Sequence, residues 1–179
     1  MSELLPTGTV TMLLADVEGS TRLREANQTR WRPLVALLDR TVPKAVAAHG
    51  GVRPVEQGEG DSFVAAFARA GDAVACALQL QRVLLAPIRL RIGVHTGDIQ
   101  LRDEGNYAGP TIKWTARPRD LADGGQTVLS GATSEVVIDR LPALGAANDR
   151  HGWVDSHRRP PTARSTCCTP ESLRCWIIR

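Results

Sequence analysis

Two apolar runs in this chain each meet a glycine-containing polar turn at an aspartate: Val10-Thr-Met-Leu-Leu-Ala-Asp16-Val-Glu-Gly-Ser-Thr21 and Gly58-Glu-Gly-Asp61-Ser-Phe-Val-Ala-Ala-Phe67. Runs this short, bounded by turn residues, form strands rather than helices. Both carboxylates therefore sit at strand ends, on the rim of a sheet. Two acidic groups brought together there can hold divalent metal against a polyphosphate, which points to nucleotide chemistry.

The intervening segments set the architecture. Thr9 to Val17 reads as a strand that turns at Gly19-Ser-Thr into a helix. From about Thr21 to His49, Leu23, Trp31, Leu34, Val35, Leu38, Val42 and Val46 recur at spacings of three and four, closed by Gly50-Gly51. Pro33 and Pro43 lie inside this stretch and predict a kink or a break into two pieces. Val52 to Gln57 and Ser62 to Phe67 flank Gly58-Glu-Gly60 and read as a hairpin. Ala70 to Leu85 is an amphipathic helix ended by Pro87, and Ile88 to Leu101 is a central strand with Leu90, Ile92 and Val94 inward against Arg89, Arg91 and Gly93. After the Asp103-Glu-Gly-Asn106 loop come a short helix near Thr111 to Ala122, a strand over Gln126 to Ser130 and a helix over Ala132 to Ile138. The opening order of strand, helix, hairpin, helix, strand is the split βαβ plan. It predicts an α+β, ferredoxin-like βαββαβ antiparallel sheet with helices on one face.

Composition bounds the rest. With 179 residues, 42% hydrophobic and 23% charged, the chain suits one domain, read as residues 1–142, followed by a tail over 143–179. The tail is basic, has no periodicity and differs in composition from what precedes it. It reads as irregular, a truncated or frame-shifted remnant that leaves a sheet edge unpaired. No stretch approaches the roughly 20 apolar residues of a membrane helix, and Met1-Ser-Glu-Leu-Leu-Pro-Thr-Gly has neither a basic nor an apolar signal region, so a cytoplasmic location is expected. The net charge of +3 comes largely from tail arginines such as Arg150, Arg158 and Arg159, scattered without interleaved aromatics, which argues against nucleic-acid binding. Cys76, Cys167, Cys168 and Cys175 have no CxxC spacing, so neither a zinc site nor a disulfide framework is expected, and Cys76 reads as core.

Five motifs follow in order between Thr9 and Ile138: Leu14-Ala-Asp-Val-Glu-Gly-Ser-Thr21, Gly60-Asp61, Arg91-Ile-Gly-Val-His-Thr-Gly97, Tyr107-Ala-Gly-Pro110 leading to Ala116-Arg117, and Gly124-Gly-Gln-Thr-Val-Leu-Ser130. Together they resemble the catalytic domain of class III nucleotidyl cyclases, the adenylyl and guanylyl cyclases, most of all the actinobacterial type. The resemblance implies a head-to-tail homodimer with active sites at the subunit interface. One subunit would give Asp16, Asp61 and the Val17 carbonyl to two Mg²⁺ or Mn²⁺ ions per site, and the backbone N–H groups of Glu18, Gly19, Ser20 and Thr21 to the phosphates of a purine nucleoside triphosphate. The other would read the base and stabilise the transition state. Where adenylyl cyclases usually carry a base-reading lysine and aspartate, this chain has Gln57 and Asn106; where they carry an asparagine and an arginine, it has Lys113 and Arg117.

The two amides keep donors and acceptors for a purine edge, although either could be flipped and so select less sharply between adenine and guanine. Lys113 is the more damaging change, because an ammonium has no acceptor and a long flexible stem to order. Losing one preorganised transition-state group commonly costs on the order of 10² to 10³ in rate. The expected function is therefore conversion of ATP to cyclic AMP and pyrophosphate with weak turnover. The alternative is a catalytically degenerate cyclase-homology module that binds nucleotide or a partner in signalling or transcriptional regulation. His95 reads as a structural strand residue, and Trp31 and Trp114 as packing groups.

Overall fold

The computed structural model describes residues 5–26, 28–55, 61–83 and 88–140, and the backbone of 153–155 and 176–178. In chain order the elements are β1 (Gly8–Val17), α1 (Ser20–Ala26), α2 (Gln28–Ala48), β2 (Phe63–Phe67), α3 (Ala70–Val83), β3 (Leu90–Asp103), β4 (Asn106–Ala108), α4 (Pro110–Leu121), β5 (Gln126–Leu129), α5 (Gly131–Val137) with a 3₁₀ turn at Ile138–Arg140, β6 (Trp153–Asp155) and β7 (Trp176–Ile178). The sheet runs β2-β1-β3-β5-β7-β6, with β4 paired to β3.

The α+β, ferredoxin-like order is present. β1 pairs antiparallel with both β2 and β3, and Val52 bridges to Ala66 where the hairpin was expected. Gln57 and Gly58-Glu-Gly60 lie outside the described residues. β3 pairs parallel with β5, so the sheet is mixed rather than wholly antiparallel. The helical break expected at the prolines falls earlier, between α1 and α2. Helix α2 runs through Pro33 and Pro43, both exposed, where water can take the carbonyls that a proline leaves without a donor. Two short strands arise within residues 143–179: β7 pairs with β5 and β6 with β7, so the β5 edge expected to stay open is covered.

Strand alternation sorts side chains onto two faces. Leu13, Ala15, Val17, Leu90, Ile92 and Val94 form the larger core with Phe63 and Phe67 of β2, Val42 and Val46 of α2, Val74 and Leu80 of α3 and Val137 of α5. Cys76 is buried there, as expected, and burial pushes its thiol up to about 12. Helices α2, α3 and α5 thus share one face. Helix α4 departs from the one-face expectation and covers the other side, where Val10, Met12, Ala66, Ile99 and Tyr107 meet Ile112, and Val128 meets Ala122.

Gly93 makes that second layer possible. A Cβ built there would overlap the Arg119 backbone nitrogen and lie 2.8 Å from the Arg119 Cα and the Thr115 carbonyl oxygen. The α4 backbone therefore rests directly on β3, which fixes where every side chain of α4 can reach. Gly93→Ala forces backbone against backbone, a form of overpacking worth ~1–3 kcal/mol, and is expected to lower the melting temperature by several degrees, read by far-ultraviolet circular dichroism. An unchanged melting temperature would contradict this seating of α4.

Candidate active site

Asp16 and Val17 end β1, and the Ala15–Phe63 pairing carries the residues just before β2 to the same end of the sheet. Asp61 arrives there from the turn preceding β2. A cavity of about 540 Å³ is lined by Asp16, Val17, Gly19, Ser20, Thr21, Arg22, Asp61, Ser62, Arg91 and Arg119. The structure thus brings together Asp16, Val17, Asp61 and the Gly19–Thr21 turn, which the sequence placed on one site. Gly19 adopts φ +65°, the left-handed conformation that turns the chain sharply from β1 into α1.

Glu18 departs from expectation. Its backbone N–H donates to the Arg89 carbonyl at 2.9 Å, continuing the β1–β3 ladder one residue beyond Val17. Its carboxylate accepts from the Gly124 N–H at 2.9 Å and faces Arg89 at 3.7 Å. The Glu18 amide is thus engaged within the sheet, and its carboxylate ties β1 to the turn before β5.

Of the three arginines in the lining, Arg22, Arg91 and Arg119, the last two reach Asp16. Arg91 stands opposite Asp16 in the β1–β3 register and grips it in a bidentate pair, Nε to Oδ1 at 2.8 Å and Nη2 to Oδ2 at 2.6 Å. The pair is largely withdrawn from water, with the Asp16 side chain 13% exposed and that of Arg91 33%. Its hydrogen bond to Asp16 raises the Arg91 pKa above the ordinary guanidinium value. Arg119, from α4, also reaches Asp16, its Nε 3.7 Å from Oδ2, while bonding Asp120. Sequence reasoning missed all three arginines as site residues. The available signal was parity: Asp16 and Arg91 alternate away from the main core on neighbouring strands, so both emerge on the α4 side.

The remaining site residues lie apart from this cavity. Lys113, Trp114 and Arg117 occupy the exposed side of α4, opposite its buried Thr111, Thr115 and Pro118. The Arg117 guanidinium stacks 4.3 Å over the Trp114 ring, and His95 lies against that ring with 6.5 Å between centroids. Asn106 sits at the β3–β4 turn, where its Nδ2 donates to Asp103 Oδ1 at 2.9 Å. The Val55 N–H donates to the Gly105 carbonyl at 2.9 Å; Gln57 lies outside the described residues.

As donors, Asp16, Asp61 and the Val17 carbonyl offer only hard oxygens, the chemistry that Mg²⁺ and Mn²⁺ take. They line one cavity, so the residues present fit a divalent cation held against phosphate oxygens. Among the described residues no group of three or more His, Cys, Asp or Glu side chains forms a metal cage, and no helix is long and apolar enough to cross a membrane.

Comparison with known proteins bears on the fold. No protein-family model matches the chain. An uncharacterized protein of Mycobacterium tuberculosis is 64% identical over 143 residues, covering 80% of this chain and 50% of its own length. The chain spans 50% of the length of three mycobacterial relatives and 66% of a fourth, 48% identical to it. A putative adenylate cyclase of Rhizobium meliloti is 32% identical over 139 residues, 72% of this chain and 23% of that protein. Among solved structures, an adenylate cyclase of Trypanosoma brucei in its monomeric state superposes with a TM-score of 0.75 at 21% identity, covering 99% of this chain and 94% of its own. The guanylate cyclase domain of a Catenaria anguillulae protein in complex with GTP gives 0.70 at 13% identity, covering 96% of each chain. The fold is that of the class III adenylyl and guanylyl cyclase catalytic domain.

His95 yields a pH prediction. Its Nδ1 is 2.8 Å from the Ser130 hydroxyl, and burial holds its pKa below the ordinary imidazole value. The unfolded chain therefore takes up the proton first, so the contribution of His95 is fully present above the unfolded pKa, near 6.5, and is lost as pH falls from there toward the folded value. Melting temperature measured between pH 7.5 and 5.5 is expected to fall toward acid, and His95→Gln to flatten that slope. Identical slopes would contradict it.

Proposed function

We propose that the chain is a class III nucleotidyl cyclase domain that works as a head-to-tail homodimer, holds a purine nucleoside triphosphate with two Mg²⁺ or Mn²⁺ ions per site, and converts ATP to cyclic AMP and pyrophosphate with weak turnover. The observation that carries this reading is the single cavity lined by Asp16 and Asp61 together with Gly19, Ser20, Thr21 and Arg91. Asp16, Asp61 and the Val17 carbonyl are the groups that would hold the cations. Bound there, the metals would neutralise the triphosphate and favour ionisation of the ribose 3′-hydroxyl.

The chain's own groups account for the rest. The first-turn N–H groups of a helix have no intrahelical partner, so Gly19, Ser20 and Thr21 can donate to phosphate oxygens. Arg91 fixes the Asp16 carboxylate in one orientation through its paired bonds and, with Arg119, adds positive charge beside the phosphates. Lys113 and Arg117 point outward from α4, away from the Asp16 cavity. That placement suits groups given to a second subunit's site, where Arg117 would neutralise charge as the ribose O3′–Pα bond forms and the bond to pyrophosphate breaks. Asn106 would read the base, with Gln57 as the second amide that the family pattern assigns to it. The cytoplasmic assignment and the division at residue 142 belong to this reading.

A second reading, the degenerate module that binds nucleotide or a partner chain without turnover, is favoured by one observation: both oxygens of Asp16 are already engaged by Arg91. The two readings separate in a Mn²⁺-dependent assay of cyclic AMP formation. For the enzyme, Asp61→Asn is expected to abolish product, Arg117→Ala to lower it by about 10² or more, and Lys113→Asn to raise it at least about tenfold by restoring a preorganised transition-state group. No product from the wild type or from Lys113→Asn, with nucleotide still bound, would replace the enzyme by the module.

A further inference from the structure

Helix α4 carries one large aromatic side chain, Trp114, and it is not buried as a core residue would be: 39% of its surface stays exposed. Residues three apart on a helix share a face, and the Arg117 guanidinium sits over the Trp114 ring, 4.3 Å from its centroid. His95 of β3 lies against the same ring, with 6.5 Å between centroids and 25° between planes. The histidine is itself held, through Nδ1, by the Ser130 hydroxyl at 2.8 Å. Ser130 in turn caps α5 by accepting from the Thr133 N–H at 3.3 Å. The place of the indole is therefore set from β3 and α5 as well as by its own helix. Burial keeps His95 below its ordinary pKa, so it is uncharged at neutral pH and the cation set over the indole is Arg117.

Arg91 and Arg119 are held differently, by the carboxylates of Asp16 and Asp120. Among the described residues no carboxylate pairs with Arg117. A carboxylate offsets the charge of a guanidinium and fills its donors. The face of an indole attracts the cation through the ring quadrupole and leaves its charge in place. An arginine otherwise carries a long, rotamer-rich stem that must be ordered when a ligand arrives. Seated on Trp114, that stem is ordered beforehand, and the positive charge stays available to meet charge that develops elsewhere.

We propose that Trp114 is a positioning residue for the cyclase reaction: its ring preorganises the Arg117 guanidinium, so that loss of the ring slows turnover through Arg117 and leaves nucleotide affinity unchanged. This rests on the reading above that Arg117 neutralises developing charge in a second subunit's site. An interaction realised only in the transition state changes kcat and not ground-state binding. A group already in place costs no reorganisation at the moment of reaction. His95, lying against the ring, supports the same geometry from β3.

The test is steady-state cyclic AMP formation by the full chain in Mn²⁺, with kcat and KM read separately, alongside NMR of the Arg117 side chain. Trp114→Leu is expected to lower kcat about fivefold or more, with KM for ATP within about twofold of the wild type. Trp114→Tyr, which keeps an aromatic face, should hold kcat within about threefold. Adding Trp114→Leu to Arg117→Ala should lower kcat no further, because Trp114 acts through the arginine. Independently of turnover, the Arg117 side-chain protons should show ring-current shifts that disappear in Trp114→Leu. Should Trp114→Leu not fold, Trp114→Met keeps an apolar side chain without a ring and carries the same expectations. Unchanged kcat in Trp114→Leu, while Arg117→Ala loses about 10², would overturn the role of Trp114 and leave the proposed function standing. A double variant slower than Arg117→Ala, or the absence of ring-current shifts in the wild type, would do the same. No product from the wild type or from Lys113→Asn would instead remove the reaction itself, and the positioning role with it.

Discussion

The antiparallel register of β1 on β3, continuous from the Gly8–Ile99 pair to the Val17–Leu90 pair, is the constraint on which the rest of the molecule depends. It sets Asp16 opposite Arg91 and Leu14 opposite Gly93. A slip of one residue would send every side chain of a strand to the other face. Asp16 would then face the main core, Arg91 would lose its partner, and Gly93 would no longer lie under α4. The large core formed with α2, α3 and α5 defends the register, because Leu13, Ala15, Val17, Leu90, Ile92 and Val94 can all be buried together in only one of the two parities.

From that register follows the electrostatic character of the cavity. Its lining holds two carboxylates, Asp16 and Asp61, and three guanidiniums, Arg22, Arg91 and Arg119. Removing the carboxylate from the part-buried Asp16–Arg91 pair would leave a guanidinium short of its counter-charge, a costly state in a site of low exposure. A mixed lining of this kind suits a ligand that is itself mixed: anionic phosphate for the arginines, with cations for the carboxylates. Helix α4 contributes to both sides of the arrangement. Arg119 reaches inward to Asp16, while Lys113 and Arg117 stay exposed. Two residues apart on a helix is about 200° of rotation, which is why Arg117 and Arg119 serve opposite directions.

Much of this was legible in the sequence, for reasons that differ by residue. Asp16 and Asp61 could be placed because a strand that ends in a glycine turn leaves a strong local signal. Gly19 could be read for the same reason. Arg91 was visible as an outward strand residue but not as a site residue, since outward meant solvent until α4 was known to cover the second face. That covering depends on contact between Gly93 and the α4 backbone, a tertiary fact with no periodic signature. Arg119 was hidden beside Arg117, whose motif position drew attention first. The engagement of the Glu18 amide was not legible because one further rung of the β1–β3 ladder cannot be told from a turn by composition. Strands β6 and β7, three residues each, are too short to leave any alternation to detect.

What separates an enzyme from a binding module here is whether the Asp16 carboxylate, engaged by Arg91, can share its oxygens with a cation once phosphate supplies the arginines with another partner. Each carboxylate oxygen carries two lone pairs, so the Arg91 bonds and a metal bond are compatible in principle. The most direct measurement is anomalous diffraction at the manganese edge from crystals of the full chain with Mn²⁺ and a non-cyclisable ATP analogue. The account predicts manganese peaks between the carboxylates of Asp16 and Asp61, with the triphosphate against Gly19–Thr21 and a second subunit closing over the base. Nucleotide bound elsewhere, or manganese absent from these two carboxylates while nucleotide occupies the cavity, would contradict it.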